Sequence, residues 1–300
     1  MKVKYFNHQR VLYPLLMLIM VLIFLCATLS NSYANKEYHD NSPALPNLTK
    51  FYKAYWMGMH VGDIISQISQ DKNGAYYIES RIQSRGIAKR FLKYWSVSKS
   101  LVNIDDSGNI SSQYFFTKSA TKRKTREINL SYDEAGNLAG EEVIPPDNRK
   151  KRPFVEDDLK YIATDPHSII LVSRKKIKES LDNNISNFSI PVYDGRRLTN
   201  VDFNIIGKKN ISYNSNDTEV IHVIIQRQAI SGYTEREIKR METENPPINI
   251  YLENNDTMLP LIVRAKAPIG SAYIRLVKEC VDINSCHKPA TTYVKASDVR

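Results

Sequence analysis

The chain has 300 residues, with 42 Lys and Arg against 32 Asp and Glu and a formal net charge of +10 at pH 7. That length suits one large β domain or two small ones with a sizeable core, and 18 Tyr with abundant Ile and Val favour strands. The positive charge is not a nucleic-acid signature, because no recognition helix, zinc finger or RNA-binding motif accompanies it.

At the N-terminus, Lys2, Lys4 and Arg10 precede an apolar run from Val11 to Leu29 that ends in Ser32-Tyr33-Ala34. Basic start, apolar middle and small-residue end read as a secretory signal over residues 1–34, cleaved after Ala34. The same run is long enough to cross a bilayer, so an uncleaved anchor is the competing reading. Leu25 before Cys26 argues against a lipid anchor, since lipoprotein processing wants a small residue there. The expected location is the periplasm; the alternative is inner-membrane anchorage facing it, with membrane contact through residues 11–29. Removing residues 1–34 takes away three basic and no acidic residues, which lowers +10 to +7. A basic exported protein is drawn to anionic lipid or acidic polysaccharide, or to envelope proteins, and has no access to most ATP- and nicotinamide-dependent chemistry. No cofactor is expected.

Residues 35–48 are polar, contain Pro43 and Pro46, and read as a flexible linker. A β-rich domain follows over 49–280. From Ala75 to Ile82, Tyr76, Ile78 and Ile82 fall on one face, while Tyr77, Glu79 and Arg81 fall on the other. The same period of two recurs at Ile128, Leu130 and Tyr132 and at Ala272, Ile274 and Leu276. Further strands are expected at 61–69, 95–104, 110–117, 200–206, 220–228, 248–253 and 261–267. The segments Asp105 to Asn109 and Asp133 to Asn137 carry hairpin-turn chemistry, so neighbouring strands pair antiparallel.

Two or three short helices complete the reading. Asp165 as cap and Pro166 at the first helical position open one that runs to about Leu181. Thr234 and Glu237 form a capping box for a second, ending near Glu244, and a third covers Ile87 to Tyr94.

Catalytic motifs are missing: there is no G-x-S-x-G, no H-E-x-x-H, no phosphate-binding glycine loop and no dinucleotide fingerprint. His39, His60, His167, His222 and His287 each stand alone. His222 reads as a strand residue that packs, and His167 as a capping or surface contact. No catalytic residue and no metal site are assigned. The sharpest local feature is Asp194-Gly195-Arg196-Arg197, where Asp-Gly supplies a tight turn. The two arginines either make structural salt bridges or clamp an anion, because guanidinium pairs two-pronged with phosphate or carboxylate. Arg264 is open to the same two readings. Lys118, Lys122, Arg123, Lys124 and Arg126 form one basic stretch and Arg149 to Arg152 another, read as solvated surface or as a contact to an anionic surface. Near the end, Cys280 and Cys286 read as a disulfide in an oxidising compartment, with free thiols or an incomplete metal site using His287 as alternatives. Residues 281–300 form a tail.

In order along the chain, Tyr55 to Gly62, Thr164-Asp165-Pro166-His167-Ser168, Pro191 to Arg197, and Ala229 to Tyr233 with Arg236 and Met241 resemble an exported bacterial family, domain of unknown function 3108 (DUF3108), of alphaproteobacterial type. Ile250-Tyr251-Leu252, Leu259 to Arg264 and Gly270 to Leu276 continue the resemblance, which spans residues 50 to 278. It implies a periplasmic, mainly β fold: a single curled antiparallel sheet, like the rolled β-spiral of envelope-integrity proteins or an open barrel. It implies no reaction. Two family cysteines have no counterpart in Asn183 to Ser189 or Val220 to Ile225, and Tyr233 stands where relatives often have His. The function expected is a non-enzymatic envelope-integrity or scaffold protein. The alternatives are a carrier of a lipophilic anionic ligand in the concave sheet, and an envelope-polymer hydrolase.

Overall fold

The computed structural model describes residues 48–70, 74–105, 107–267 and 269–286. The expected leader, nearly all of the linker, His39, His287 and the last part of the tail lie outside the described residues. Among the described residues no helix is long and apolar enough to cross a membrane.

Thirteen strands form one antiparallel sheet built from two meanders. The first comprises β1 (Leu48–Trp56), β2 (Met59–Gln70), β3 (Tyr76–Ser84), β4 (Trp95–Ile104), β5 (Ile110–Ala120), β6 (Thr125–Tyr132) and β7 (Leu138–Ile144), with α1 (Gly86–Phe91) between β3 and β4. The second comprises β8 (Asn187–Tyr193), β9 (Leu198–Tyr213), β10 (Asn216–Ser231), β11 (Ile248–Glu253), β12 (Pro260–Lys266) and β13 (Ser271–Cys280), with α4 (Glu235–Thr243) between β10 and β11. β1 pairs with β13, so the first and last strands lie in the middle and β7 and β8 form the two edges. The link between those edges holds α2 (Asp157–Tyr161) and α3 (Ser168–Asp182).

The sheet is mainly β and curled, without closing into a barrel. Its ends meet through side chains: Tyr193 Oη of β8 donates to Glu141 Oε2 of β7 at 2.6 Å, and Ile128 and Leu130 of β6 pack with Tyr193 and Leu198. Thr164 covers the β8 edge, donating to the Pro191 carbonyl at 3.0 Å and accepting from Tyr193 N at 2.9 Å. β7 instead carries Glu141 and Glu142, charges that discourage strand addition at an edge.

Helix α3 occupies the concave side. Ile169, Ile170, Leu171 and Ile177 join the main core with inward residues of both meanders, among them Ile78, Val102, Phe203 and Val220. Inward positions of β3 and β4 are largely serine, at Ser80, Ser96, Ser98 and Ser100. Those small side chains leave room for the start of α3 and supply it with hydroxyls. On the convex side Phe51 and Ile65 are covered by Ile283 and Cys286, and Cys280 and Cys286 are bonded with Cα atoms 5.0 Å apart.

Each expected strand coincides with an observed one, Ala75 and Ala267 alone falling one residue outside β3 and β12, and α4 carries the capping box read from Thr234 and Glu237. Three elements were not expected as such: β8, the full length of β1, and α2. There are four helices among the described residues, and α3, at 15 residues, is not short. It begins at Ser168 because Pro166 and His167 form a turn, yet Asp165 still caps it, its Oδ1 accepting from the His167 and Ser168 amides at 2.8 and 3.1 Å.

Candidate binding site

Sequence puts Asp194-Gly195-Arg196-Arg197 between two strands, and the local chemistry shapes a four-residue turn. The Asp194 carboxylate accepts from the amides of Arg196 and Arg197 at 2.9 and 2.7 Å, and the Asp194 amide donates to the Arg197 carbonyl at 3.1 Å. Gly195 has φ +84°, and a Cβ there would stand 2.4 Å from Ile128. Only glycine brings the turn onto β6 in this way.

The two arginines then reach inward to carboxylates. Arg196 grips Asp147 two-pronged, Nε to Oδ2 at 2.6 Å and Nη2 to Oδ1 at 2.7 Å. Arg197 meets Glu237 Oε1 at 2.5 Å and Asp194 Oδ2 at 3.4 Å. Arg152 joins the same group: its Nη2 lies 2.7 Å from Glu237 Oε1, its Nε lies 3.3 Å from Asp147 Oδ2, and its Nη1 donates to the Gly232 carbonyl. Arg152 is thus buried, a departure from the solvated reading of its basic run that Arg149, Lys150 and Lys151, all exposed, do not share. Glu237 also completes the α4 capping box, accepting from the Thr234 amide at 2.9 Å. One carboxylate therefore ties α4 to the 194–197 turn and to the link.

Charge follows from this packing. Burial by itself would raise the Glu237 pKa, but Arg197 and Arg152 outweigh it and hold the carboxyl well below its usual range. Burial likewise disfavours the Arg197 cation, and Asp194 and Glu237 overcome it so that the guanidinium pKa is raised. Arg196 and Arg197 are therefore committed to internal ion pairs. Arg264 lies elsewhere: it is exposed on β12, with its guanidinium 5.8 Å from the Tyr251 ring centroid, and does not line the cavity described next.

A cavity of 320 Å³ lies beside α3, between the far ends of the two meanders. Its floor is Phe115, Ile169, Val192, Val201, Phe203 and Ile225, with Ser98, Thr117 and Ser173 as isolated hydroxyls. Toward the 194–197 turn and α4 the lining becomes charged. Lys124, Arg126, Arg196, Arg197, Arg227 and Arg240 contribute, against only Asp194 and Glu237 of opposite sign. Tyr233 also lines it, its Oη 2.5 Å from Thr199 Oγ1. Sequence pointed to the turn but not to Arg227, Arg240 or Lys124 as its neighbours, because those arrive from β10, α4 and the β5–β6 turn.

Next to the cavity lies a buried polar knot. Asp165, wholly buried, accepts from Ser100 Oγ at 2.8 Å, from Ser112 Oγ at 2.5 Å and from Ser168 Oγ. His167, also wholly buried, bonds Ser80 Oγ through Nε2 at 2.9 Å and meets the Phe115 ring edge-on. This corrects the surface reading of His167. Burial lowers its pKa to about 4, against the raising effect of Asp165, so the ring is neutral at pH 7. His222 stacks on Tyr251 and shares a hydrogen bond with Asn249 Oδ1 at 2.9 Å. Among the described residues no group of His, Cys, Asp and Glu is placed to hold a metal.

A single 13-stranded antiparallel sheet, curled around a buried helix without closing, defines a mainly β, open-sheet class of fold, with a cavity lined by apolar residues on one side and mostly basic ones on the other. The family profile of DUF3108, a protein of unknown function, matches residues 52–277, and the chain belongs to that family. No curated protein matches it. Among solved structures, a β-barrel-like DUF1849 protein from Brucella abortus aligns over 78% of this chain and 96% of its own, at 10% identity and a TM-score of 0.49. A candidate lipoprotein from Parabacteroides distasonis aligns over 80% and 97% at 9% identity and a TM-score of 0.32. A candidate exported protein with a YmcC-like fold from Bacteroides fragilis aligns over 80% and 98% at 8% identity and a TM-score of 0.31.

Proposed function

We propose that this protein is an exported, non-catalytic carrier that holds an amphiphile, one acyl chain with an anionic carboxylate or phosphate head, inside its curled sheet. The observation that carries this reading is the cavity: an apolar floor below six basic side chains and two acidic ones. Its 320 Å³ lies at the lower end of small-molecule sites, roughly 300–1,000 Å³, which suits one chain better than two. Burying methylenes supplies affinity, at about 0.8 kcal/mol each. Asp147 and Glu244, which pair with Arg126, Arg196 and Arg240 from outside the lining, leave a smaller net positive charge at the rim, and that remainder orients the head. Export rests on the leader-like residues 1–34, and the periplasm is the compartment this leader serves.

A scaffold role in envelope integrity calls for a filled interior, so the cavity favours the carrier. Hydrolysis gains no support from the Ser80–His167 contact, because both residues are buried and neither lines the cavity. Asp165 bonds serines and amides there, whereas a relay would have it orient the imidazole.

The test is native mass spectrometry of protein purified from its own periplasm without denaturation, with uptake of a fluorescent fatty acid measured alongside. Co-purified acyl lipid and saturable uptake are expected, and Val201→Trp, which fills the cavity, abolishes uptake while the circular dichroism spectrum is kept. Empty protein that takes up no probe overturns the carrier. A measured mass starting at Asn35 checks cleavage in the same run.

A further inference from the structure

We infer that the end of the sheet bearing the cavity's charged rim is a docking surface for an anionic lipid bilayer. This rests on the carrier reading for its purpose, although the surface is tested separately.

The meander topology places alternate connections at one end: the β1–β2, β3–β4, β5–β6, β8–β9, β10–β11 and β12–β13 turns. The β3–β4 connection is α1, which leaves Ile87 and Phe91 49% and 58% exposed beside exposed Lys89, Arg90 and Lys93. The β5–β6 turn packs against it, the Lys122 amide donating to the Leu92 carbonyl at 3.0 Å and its Nζ to the Arg90 carbonyl at 2.5 Å. That turn adds exposed Lys122, Arg123 and Lys124, and Lys124 also lines the cavity. Neither 85–93 nor 118–126 contains an acidic residue.

Apolar residues continue the patch at the neighbouring β1–β2 turn, where Met57 and Met59 are exposed. α1 starts against that turn, with a Cβ at Gly86 only 2.8 Å from the His60 carbonyl. A run of charge alone would read as a solvated face. Over the α1, β1–β2 and β5–β6 connections, exposed aliphatic and aromatic side chains are ringed by Lys and Arg with no intervening carboxylate, the exposed Glu235, Glu242 and Glu244 of this end lying on and just after α4. This composition matches surfaces that insert shallowly among anionic headgroups. Docked this way, the cavity's charged rim faces the lipid from which an acyl chain would be drawn.

The experiment uses a chain beginning at Asn35, which keeps every described strand, helix and cavity residue and removes the apolar run 11–29. Flotation is measured with vesicles of phosphatidylcholine alone and of phosphatidylcholine and phosphatidylglycerol in equal parts. Wild type floats with the anionic vesicles, not with the zwitterionic ones, and high salt releases it. Each basic residue near such a surface is worth about fivefold, so combined Lys89→Glu, Arg90→Glu and Arg123→Glu lower binding by about a hundredfold or more. Ile87→Ser with Phe91→Ser lowers it several-fold. Fatty-acid uptake in vesicle-free buffer is measured on the same proteins and stays at the wild-type level in both variants. Equal binding to both vesicle types, no binding to either, or unchanged binding of the charge-reversed variant overturns docking. Uptake that persists while docking fails leaves the carrier standing, and docking without uptake overturns the carrier alone.

Discussion

Replacing Asp165 by Ala removes the acceptor at the centre of the buried knot. Two amides at the start of α3, of His167 and Ser168, lose their cap, at a typical cost of about 1 kcal/mol. Three serine hydroxyls lose the same oxygen pair. Ser112 and Ser168 stand 2.9 Å apart and can bond each other, so Ser100 is the hydroxyl left stranded, at roughly 1–3 kcal/mol. The expected total is about 3 kcal/mol, read as a lower urea midpoint at unchanged m by fluorescence of the two tryptophans, Trp56 and Trp95. Ser112→Ala, which removes one donor, costs about 1 kcal/mol, and the double variant falls short of the sum because the two groups share a bond. A loss below about 1 kcal/mol for Asp165→Ala, with m unchanged, would refute the view that this residue organises the helix start.

Stability also depends on pH through His167. Its folded pKa of about 4 lies below the ordinary 6.5, so as pH falls through that window the unfolded chain binds the proton first and stability drops, by up to about 3 kcal/mol. Denaturation midpoints at pH 7 and pH 4.5, compared with His167→Gln, isolate this loss; a variant with the same pH slope as wild type counts against it. Gly232→Ala puts a Cβ 2.2 Å from the Arg196 carbonyl at a φ of +75°, so a loss of about 2 kcal/mol or more is expected in thermal unfolding, and a neutral outcome contradicts the packing of β10 on the turn. Cutting the six-residue link between Cys280 and Cys286 with Cys280→Ser and Cys286→Ser costs about 2 kcal/mol, checked by urea denaturation with and without reductant. An unchanged midpoint would mean that the tail contributes no constraint.

Alternation along the chain was enough to place most strands, and the Asp-rich turns at 105–109 and 133–137 announced local antiparallel pairing. Both turns share one design, Asp105 and Asp133 each accepting from the backbone amide of the Asn four residues on. Capping chemistry was equally legible, since Thr234 with Glu237 and Asp165 with the residues after it interact within one helical turn. β8 was harder to read, because Pro191 and a mixed face obscure its alternation and the covering Thr164 comes from outside the strand. α2, at five residues, has too little periodicity to stand out.

Local sequence thus determined what depends on near neighbours: strand period, turn geometry, helix caps, the short Cys280–Cys286 link and the family signature. Tertiary structure alone decided what depends on partners far along the chain. The β1–β13 pairing, which joins the two meanders, brings together segments from opposite ends of the domain. Curling of the sheet then decided between salt bridge and anion clamp for Arg196 and Arg197 by bringing Asp147 and Glu237 to them, buried Arg152 and His167, and left Arg264 outside. A side chain's charge state and exposure follow from the groups that desolvate and pair it, and in a curled sheet those groups come from strands far apart in sequence.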